Sequence, residues 1–208
     1  RRPIVALVRA ADESEARRRL AAACGDGIDD VEVICGDMAR PYLGLEVGAW
    51  HELAGRVSAV VHAGAHVDLA AGWEAHAATN VDGTAEVARL VAASGAAWHH
   101  VSTLSVFVGT DGKTGTHVEA ANPRPGAIAY GGYAQTKIAA EAIARATRGR
   151  AVPTTVMRLG LLVAETPRAN DQLAMTLRGL ARLGAIPGGV GRLRVDVTPV
   201  EHAAAAVA

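Results

Sequence analysis

Ala59-Val60-Val61-His62-Ala63-Gly64-Ala65 decides the fold: a β-rich apolar run passes directly into small residues. Four similar runs surround it, Pro3 to Val8 and Val31 to Cys35 before, Trp98 to Ser102 and Thr154 to Leu159 after. The first is apolar without alternation, as expected of a strand buried on both faces of a sheet. Between the runs the apolar period changes to that of a helix. From Asp12 to Cys24, Ala16, Leu20 and Ala23 form one stripe with arginines opposite. Leu45 to Leu53, Thr84 to Ala93 (opened by Asn80-Val81-Asp82-Gly83), Tyr133 to Thr147 and Asp171 to Leu183 follow, and Val195 to Ala208 ends in an Ala-rich helix. Strands alternating with helices at this spacing predict βαβ units, hence an α/β domain with a doubly wound parallel sheet over residues 1–208. Gly109 to Gly132 reads as a long loop, and Gly188-Gly189-x-Gly191 after Pro187 as a turn.

Composition narrows the function classes. The 208 residues carry 21 Lys plus Arg against 21 Asp plus Glu, which removes the electrostatic footprint of a nucleic-acid or membrane-surface binder. Apolar runs fall short of the roughly 20 residues that span a bilayer. No basic-then-apolar leader opens the chain. Two cysteines, Cys24 and Cys35, are too few for a disulfide framework, so a cytoplasmic protein is expected. The start at Arg1, without Met, suggests a fragment. Lysine is scarce, with only Lys113 and Lys137, and tyrosine nearly so, with Tyr42, Tyr130 and Tyr133.

Doubly wound sheets bind ligands outside the carboxyl ends of their strands. The residues there are Arg9, Asp37-Met38, Ala63-Gly64-Ala65, Thr103 and Gly160-Leu161. An acidic residue near the first of these ends would bind a ribose 2′-hydroxyl; Arg9 would pair a 2′-phosphate bidentately and favours NADP, or is a solvated arginine. Asp37 bonds adenine or caps its loop. Tyr133 and Lys137 stand four apart on a helix and share a face. An ammonium ~4 Å from a phenolate is worth ~4 kcal/mol at an effective dielectric of ~20, enough to lower a phenol pKa by a few units. Strand alternation puts 103 and 105 on one side, so Thr103 is preferred over Ser102 as a hydroxyl beside the tyrosine.

Other features are read as structural. His62 and His66 lie on a strand and loop, His99 and His100 on opposite strand faces, and no Cys or carboxylate cluster accompanies them, so no metal site is expected. Trp50, Trp73 and Trp98 read as core or rim anchors. Arg17-Arg18-Arg19 is a solvated helix face, and Asn170-Asp171 a helix N-cap.

Thr103, Tyr133-x3-Lys137, Asn80-Val81-x-Gly83-Thr84 and Gly36-Asp37 together resemble the extended short-chain dehydrogenase/reductase superfamily. Leu7-Val8-Arg9-Ala10, Gly36-Asp37-Met38, Pro41-Tyr42-Leu43-Gly44-Leu45, His62-Ala63-Gly64-Ala65, His100-Val101-Ser102-Thr103 and Thr198-Pro199-Val200 resemble one branch of it. That branch is the thioester reductase domains that terminate nonribosomal peptide synthetases, some polyketide synthases and carboxylic acid reductases. The resemblance runs across nearly the whole chain.

It implies NADPH-dependent reductive release of an acyl thioester held on the phosphopantetheine arm of a carrier protein in the same polypeptide. An aldehyde would leave, and a second hydride would give an alcohol. Tyr133 would protonate the oxyanion, Thr103 would help bind it, and Lys137 would hold the nicotinamide ribose and lower the Tyr133 pKa. Arg9 and Arg19 match positions that grip the 2′-phosphate; Met38, Ala63, Gly64 and Ala65 match adenine and ribose contacts. Gly160 and Leu161 complete the cofactor set, and Asn80, counted with it, matches a buried position that organises the site.

The chain also departs from the family. The family's first strand and Gly-x-x-Gly-x-x-Gly loop are not found in it, Arg158-Leu159-Gly160 stands where Arg-Pro-Gly is frequent, and the C-terminal substrate lobe is largely absent after Ala208. Two other readings stay open. One is another extended short-chain enzyme (a sugar-nucleotide epimerase or dehydratase, or a hydroxysteroid-type dehydrogenase). The other is a non-catalytic nucleotide-binding scaffold of the same fold.

Overall fold

The computed structural model describes residues 3–25, 27–109, 116–123, 131–166, 171–186, 188 and 195–208. Lys113, Tyr130, Asn170, Pro187, Gly189 and Gly191, and part of the loop expected between Gly109 and Gly132, lie outside the described residues.

All strand pairing among the described residues is parallel, as expected of βαβ units. β1 (Ile4–Val8) pairs with β2 (Val31–Cys35) in a register that sets Val8 beside Cys35. β3 (Ala59–His62), β4 (Ala97–Thr103) and β5 (Thr154–Leu159) form a second sheet in that order. Its register places His62 beside His100, and Ser102 and Thr103 beside Arg158 and Leu159. β6 (Leu161–Val163) and β7 (Val197–Pro199) pair in a third. Instead of one sheet, the described residues thus form three hydrogen-bonded groups, with β1 and β3 unpaired to each other. β6 and β7 escape sequence reading because three residues are too few to show a period.

Helix boundaries follow local chemistry. α1 (Glu13–Cys24) starts where the Asp12 side chain accepts from Glu15 N, and ends at Gly25, whose φ of +72° suits glycine. α2 (Val47–Arg56) buries Trp50, Leu53 and Ala54. α3 (Trp73–Ala77) runs through a π-turn at Ala78–Asp82 into α4 (Gly83–Ser94). Helical structure therefore begins at Trp73, well before the expected Thr84. The polar residues His76 and Asn80 on its buried side break the apolar stripe that would have revealed it. α5 (Gly131–Arg148) buries Ala134, Ala140 and Ala144, small side chains that let the helix pack closely. α6 (Gln172–Leu183) has Asp171 as its cap, accepting from Ala174 N, and α7 (Val200–Val207) follows β7.

One core joins β1–β2 to β3–β5. Trp50, Leu53, Val87, Val91 and the fully buried Trp98 form its centre, with Val5, Leu7, Ile34, Val60 and Val156 packed on it. With aromatics at only 3% of the chain, two tryptophans and many small aliphatics fill the space. Each fully buried Leu or Val contributes about 1.5–3 kcal/mol.

Between β2 and α2, Tyr42, Leu43 and Gly44 take left-handed φ values of 56°, 59° and 74° in succession. For the two non-glycine residues this costs roughly 1–2 kcal/mol each. The turn is held because Leu43 is buried, Glu86 accepts from Tyr42 N (2.7 Å), and Asp37 N donates to Leu43 O (2.7 Å). It thereby fixes the loop carrying Asp37 and Met38.

Candidate active site

An open cleft of about 200 Å³ lies across the carboxyl ends of β1, β2 and β3, lined by Leu7, Arg9, Gly36, Asp37, Met38, Gly64, Ala65, His66 and Thr79. Small residues form its walls for a reason of space. A Cβ on Gly64 would stand 2.9 Å from the Met38 thioether, and one on Gly83 3.1 Å from Met38 Cβ. Asp37 caps its own loop, Oδ1 accepting from Ala39 N (2.9 Å). Arg9 is exposed at the rim, and among the described residues no acidic side chain pairs with it.

Of the residues expected to hold a cofactor, the cleft gathers Arg9, Asp37, Met38, Gly64 and Ala65. It leaves others out. Arg19 pairs with Glu15 (2.6 Å) and donates to Arg9 O (2.7 Å), so it steadies the backbone of Arg9. Ala63 is exposed and does not line the cleft. Asn80 is buried, with Oδ1 accepting from His66 N (2.7 Å) and Nδ2 donating to His66 O (3.0 Å) and Thr136 Oγ1 (3.1 Å). Its amide organises the cleft wall without facing the cleft. Gly160 and Leu161 are half-buried against Asp196, which precedes β7 and whose carbonyl accepts from Leu161 N (2.8 Å). His66 and Thr79 line the cleft and were not expected there, because nothing in their sequence neighbourhood distinguishes them from loop and helix residues.

Beside the cleft stand the three residues expected to do chemistry. Thr103 closes β4 with its side chain next to the Tyr133 phenol; its Oγ1 accepts from Ser105 N (3.1 Å) and donates to Ser105 Oγ (3.1 Å). Ser102, the rival hydroxyl, points the other way and donates to Glu141 Oε1 (2.7 Å). Lys137 is 3% exposed, its Nζ donating to Val101 O (2.7 Å). A ring row connects this group to the cleft: His66 lies 5.1 Å from His76, and His76 6.2 Å from Tyr133. His76 Nε2 accepts from Asp68 N (3.2 Å), which leaves the proton on Nδ1, facing Gly72 O (2.8 Å).

The expected lowering of the Tyr133 pKa is not what the geometry produces. Burial raises the phenol above its usual value of 10.0, opposed by the Thr103 hydrogen bond. Burial also brings the Lys137 ammonium down to about 8, opposed by Glu141. Taking each group out of water is the leading cause at both, and the ammonium spends a donor on a strand carbonyl.

Two buried polar groups escaped sequence reading. Glu141 is wholly buried and accepts from Ser102, Arg145 (3.0 Å) and, through both oxygens, Arg158 (2.9 and 2.7 Å). Burial opposes its ionisation, but the Arg158 and Ser102 hydrogen bonds hold its carboxyl below the usual 4.5. His62 and His100, neighbours across β3 and β4, face each other Nδ1 to Nδ1 at 3.1 Å, and both Nε2 atoms are buried without a partner. Burial, then the Lys137 ammonium, holds His62 at about 3 and His100 at about 2, so both rings are neutral. Among the described residues no His, Cys, Asp and Glu group could hold a metal ion, and no helix is long and apolar enough to cross a membrane.

Comparison with known proteins gives these arrangements a family. Residues 1–207 match the NAD-binding family described as "Male sterility protein". The chain is 33% identical to a linear gramicidin synthase of Brevibacillus parabrevis over 96% of its length and 4% of that protein. It is 31% identical to the nonribosomal peptide synthetase asaC of Aspergillus flavus, over 89% of the chain and 20% of the synthetase. The solved terminal R domain of the myxalamid PKS-NRPS pathway superposes with a TM-score of 0.89 at 29% identity, covering 99% of the chain and 55% of that domain. The chain thus spans about half of the solved reductase domain and a small part of each synthetase. It belongs to the NAD-binding family described as "Male sterility protein", as a thioester-reductase-type member of the extended short-chain dehydrogenase/reductases.

Proposed function

We propose that this chain forms part of an NADPH-dependent reductase that releases an acyl group from a carrier-protein thioester as an aldehyde. The observation that carries the reading is the placement of the Tyr133 phenol beside Thr103, with buried Lys137 four residues along the same helix face. The cleft fits the adenosine end of a dinucleotide: glycine and alanine walls admit a flat base, the Met38 thioether lies along it, and Asp37 stands at its edge. Arg9, exposed and without an acidic partner among the described residues, supports a 2′-phosphate at the rim. Relatives in which the matching segment is a small part of a long synthetase support a carrier protein in the same polypeptide.

When bound, the reduced nicotinamide would supply hydride to the acyl carbon. Thr103 and Tyr133 hold the carbonyl oxygen, and the Tyr133 phenol gives it a proton as charge develops there. The resulting thiohemiacetal loses the pantetheine thiol and leaves the aldehyde. A phenol with a raised pKa suits this direction, because it stays protonated until the oxyanion appears. Lys137 holds the nicotinamide ribose and stabilises the tyrosine electrostatically once its proton has left.

The test uses the full-length protein with a pantetheine thioester and NADPH. Tyr133→Phe should lower turnover at least about a hundredfold, the scale of lost acid catalysis, while NADPH binding followed by nucleotide fluorescence stays near wild type. Unchanged turnover in that variant sinks the assignment.

A further inference from the structure

We propose that Glu141 is the positioning residue of the Thr103–Tyr133–Lys137 set, a buried carboxylate that fixes the rotation of α5 against β4. The inference rests on the reductase reading above and extends it to a residue that reading does not use.

Tyr133, Lys137 and Glu141 stand at four-residue intervals and so form one face of α5. Each faces one of three consecutive residues of β4: Tyr133 lies beside Thr103, Lys137 donates to Val101 O (2.7 Å), and Glu141 accepts from Ser102 Oγ (2.7 Å). Ser102 and Thr103 are consecutive in β4, so anchoring Ser102 on Glu141 fixes the backbone that carries Thr103. Arg158, the β5 partner of Ser102 in the sheet register, grips both carboxylate oxygens, so a third element is tied to the same point.

Stability does not explain such a group. Buried ion pairs frequently contribute no more than apolar residues of similar size, because desolvation offsets the attraction. A fixed relation between helix and strand is what the four donors to Glu141 provide.

Glu141 also acts on Lys137 by charge. The ammonium is faced by the neutral rings of His62 from β3 and His100 from β4, and on α5 by Glu141. Among these, Glu141 alone carries negative charge near neutral pH. Without it Lys137 discharges at a lower pH, and interactions that need the ammonium fail earlier as pH rises.

The experiment compares full-length wild type with E141M/R158M, in which an apolar pair replaces the ion pair and Arg145, at the helix surface, turns to solvent. At pH 6.5 the variant is expected to melt cooperatively and bind NADPH within about threefold of wild type. Its kcat should fall at least tenfold with KM for the thioester little changed, and the pH midpoint for loss of NADPH binding should move down by half a unit or more. Wild-type kcat together with a wild-type midpoint overturns the proposal. If the double variant does not melt cooperatively, Ser102→Ala decides. A threefold or greater loss of kcat at unchanged NADPH affinity supports the positioning role, and full activity refutes it. A wild-type protein that binds NADPH yet reduces no thioester overturns the reductase reading instead, and the NADPH midpoint still reports on Glu141.

Discussion

Acidification from pH 7 to pH 5 should destabilise this fold by about 4 kcal/mol through two side chains alone. His62 and His100 are buried, share one hydrogen between their Nδ1 atoms at 3.1 Å, and have no partner for either Nε2. Burial and the neighbouring Lys137 ammonium hold them at about 3 and about 2, so neither takes up a proton in the folded state at pH 5. In the unfolded chain both titrate near 6.5. Because the folded values lie below the unfolded ones, the unfolded state binds more protons, and stability falls as pH drops through 6.5. Each histidine costs ~2 kcal/mol at pH 5 relative to pH 7, and the pair about 4. Against a typical total of about 5–15 kcal/mol this is a large share. Glu141 titrates below this window and does not contribute there. Urea unfolding followed by tryptophan fluorescence at pH 7, 6 and 5 measures the effect, since Trp98 lies 6.2 Å from His62 and 5.6 Å from His100 in the core. In His100→Leu the loss between pH 7 and pH 5 should be about half that of wild type. A stability that stays flat over this range, or a loss undiminished in His100→Leu, refutes the buried neutral pair.

Two further predictions concern the cleft. Arg9→Ala should weaken NADPH about 10- to 100-fold, the scale of a lost charge-assisted bidentate contact, and NADH little. Equal losses for the two nucleotides, read by fluorescence titration, exclude the 2′-phosphate role. Gly44→Ala should destabilise the fold by about 1–3 kcal/mol and weaken dinucleotide binding, because φ is +74° and a Cβ there would lie 2.9 Å from Asp37 N. Urea midpoints and the same titration check both effects, and a neutral variant removes the left-handed turn from the account of the Asp37 loop.

The parts of this fold legible in sequence are those written in local periods. The five longer strands show as short β-rich runs, and Tyr133 and Lys137 show because four residues make about one helical turn. Strand alternation gave Thr103 preference over Ser102; in the structure Ser102 Oγ is taken up by Glu141 while Thr103 lies beside Tyr133. What stayed hidden depends on register between elements. No local pattern states that His62 meets His100, or that Ser102 and Arg158 converge on a carboxylate 39 and 17 residues distant in sequence. The left-handed Tyr42 and Leu43 were hidden for another reason. Neither residue favours that conformation, so only the surrounding hydrogen bonds and the burial of Leu43 impose it.

Tyr133 is the most instructive of these, since the spacing suggests a lowered phenol pKa and burial instead raises it. Helical spacing measures how close two groups come, and Coulomb's law then says an ammonium should ease ionisation of a phenol. Spacing carries no information about water. Once α5 is laid on β4, Lys137 is 3% exposed, and the same burial that strengthens its field discharges it toward a pKa of about 8 and raises the phenol. The two effects come from one cause and oppose each other at Tyr133. In the free protein near neutral pH the tyrosine is therefore a protonated acid held against Thr103. That is the state a reductive step consumes and an oxidative step would first have to remove. On the proposed reading, the set thus waits in the form that a reductive step uses. A kcat profile that stays flat from pH 6 up to the discharge of Lys137 is the expected mark of it, whereas a profile that falls away below pH 7 would assign the rate to a group that must be deprotonated.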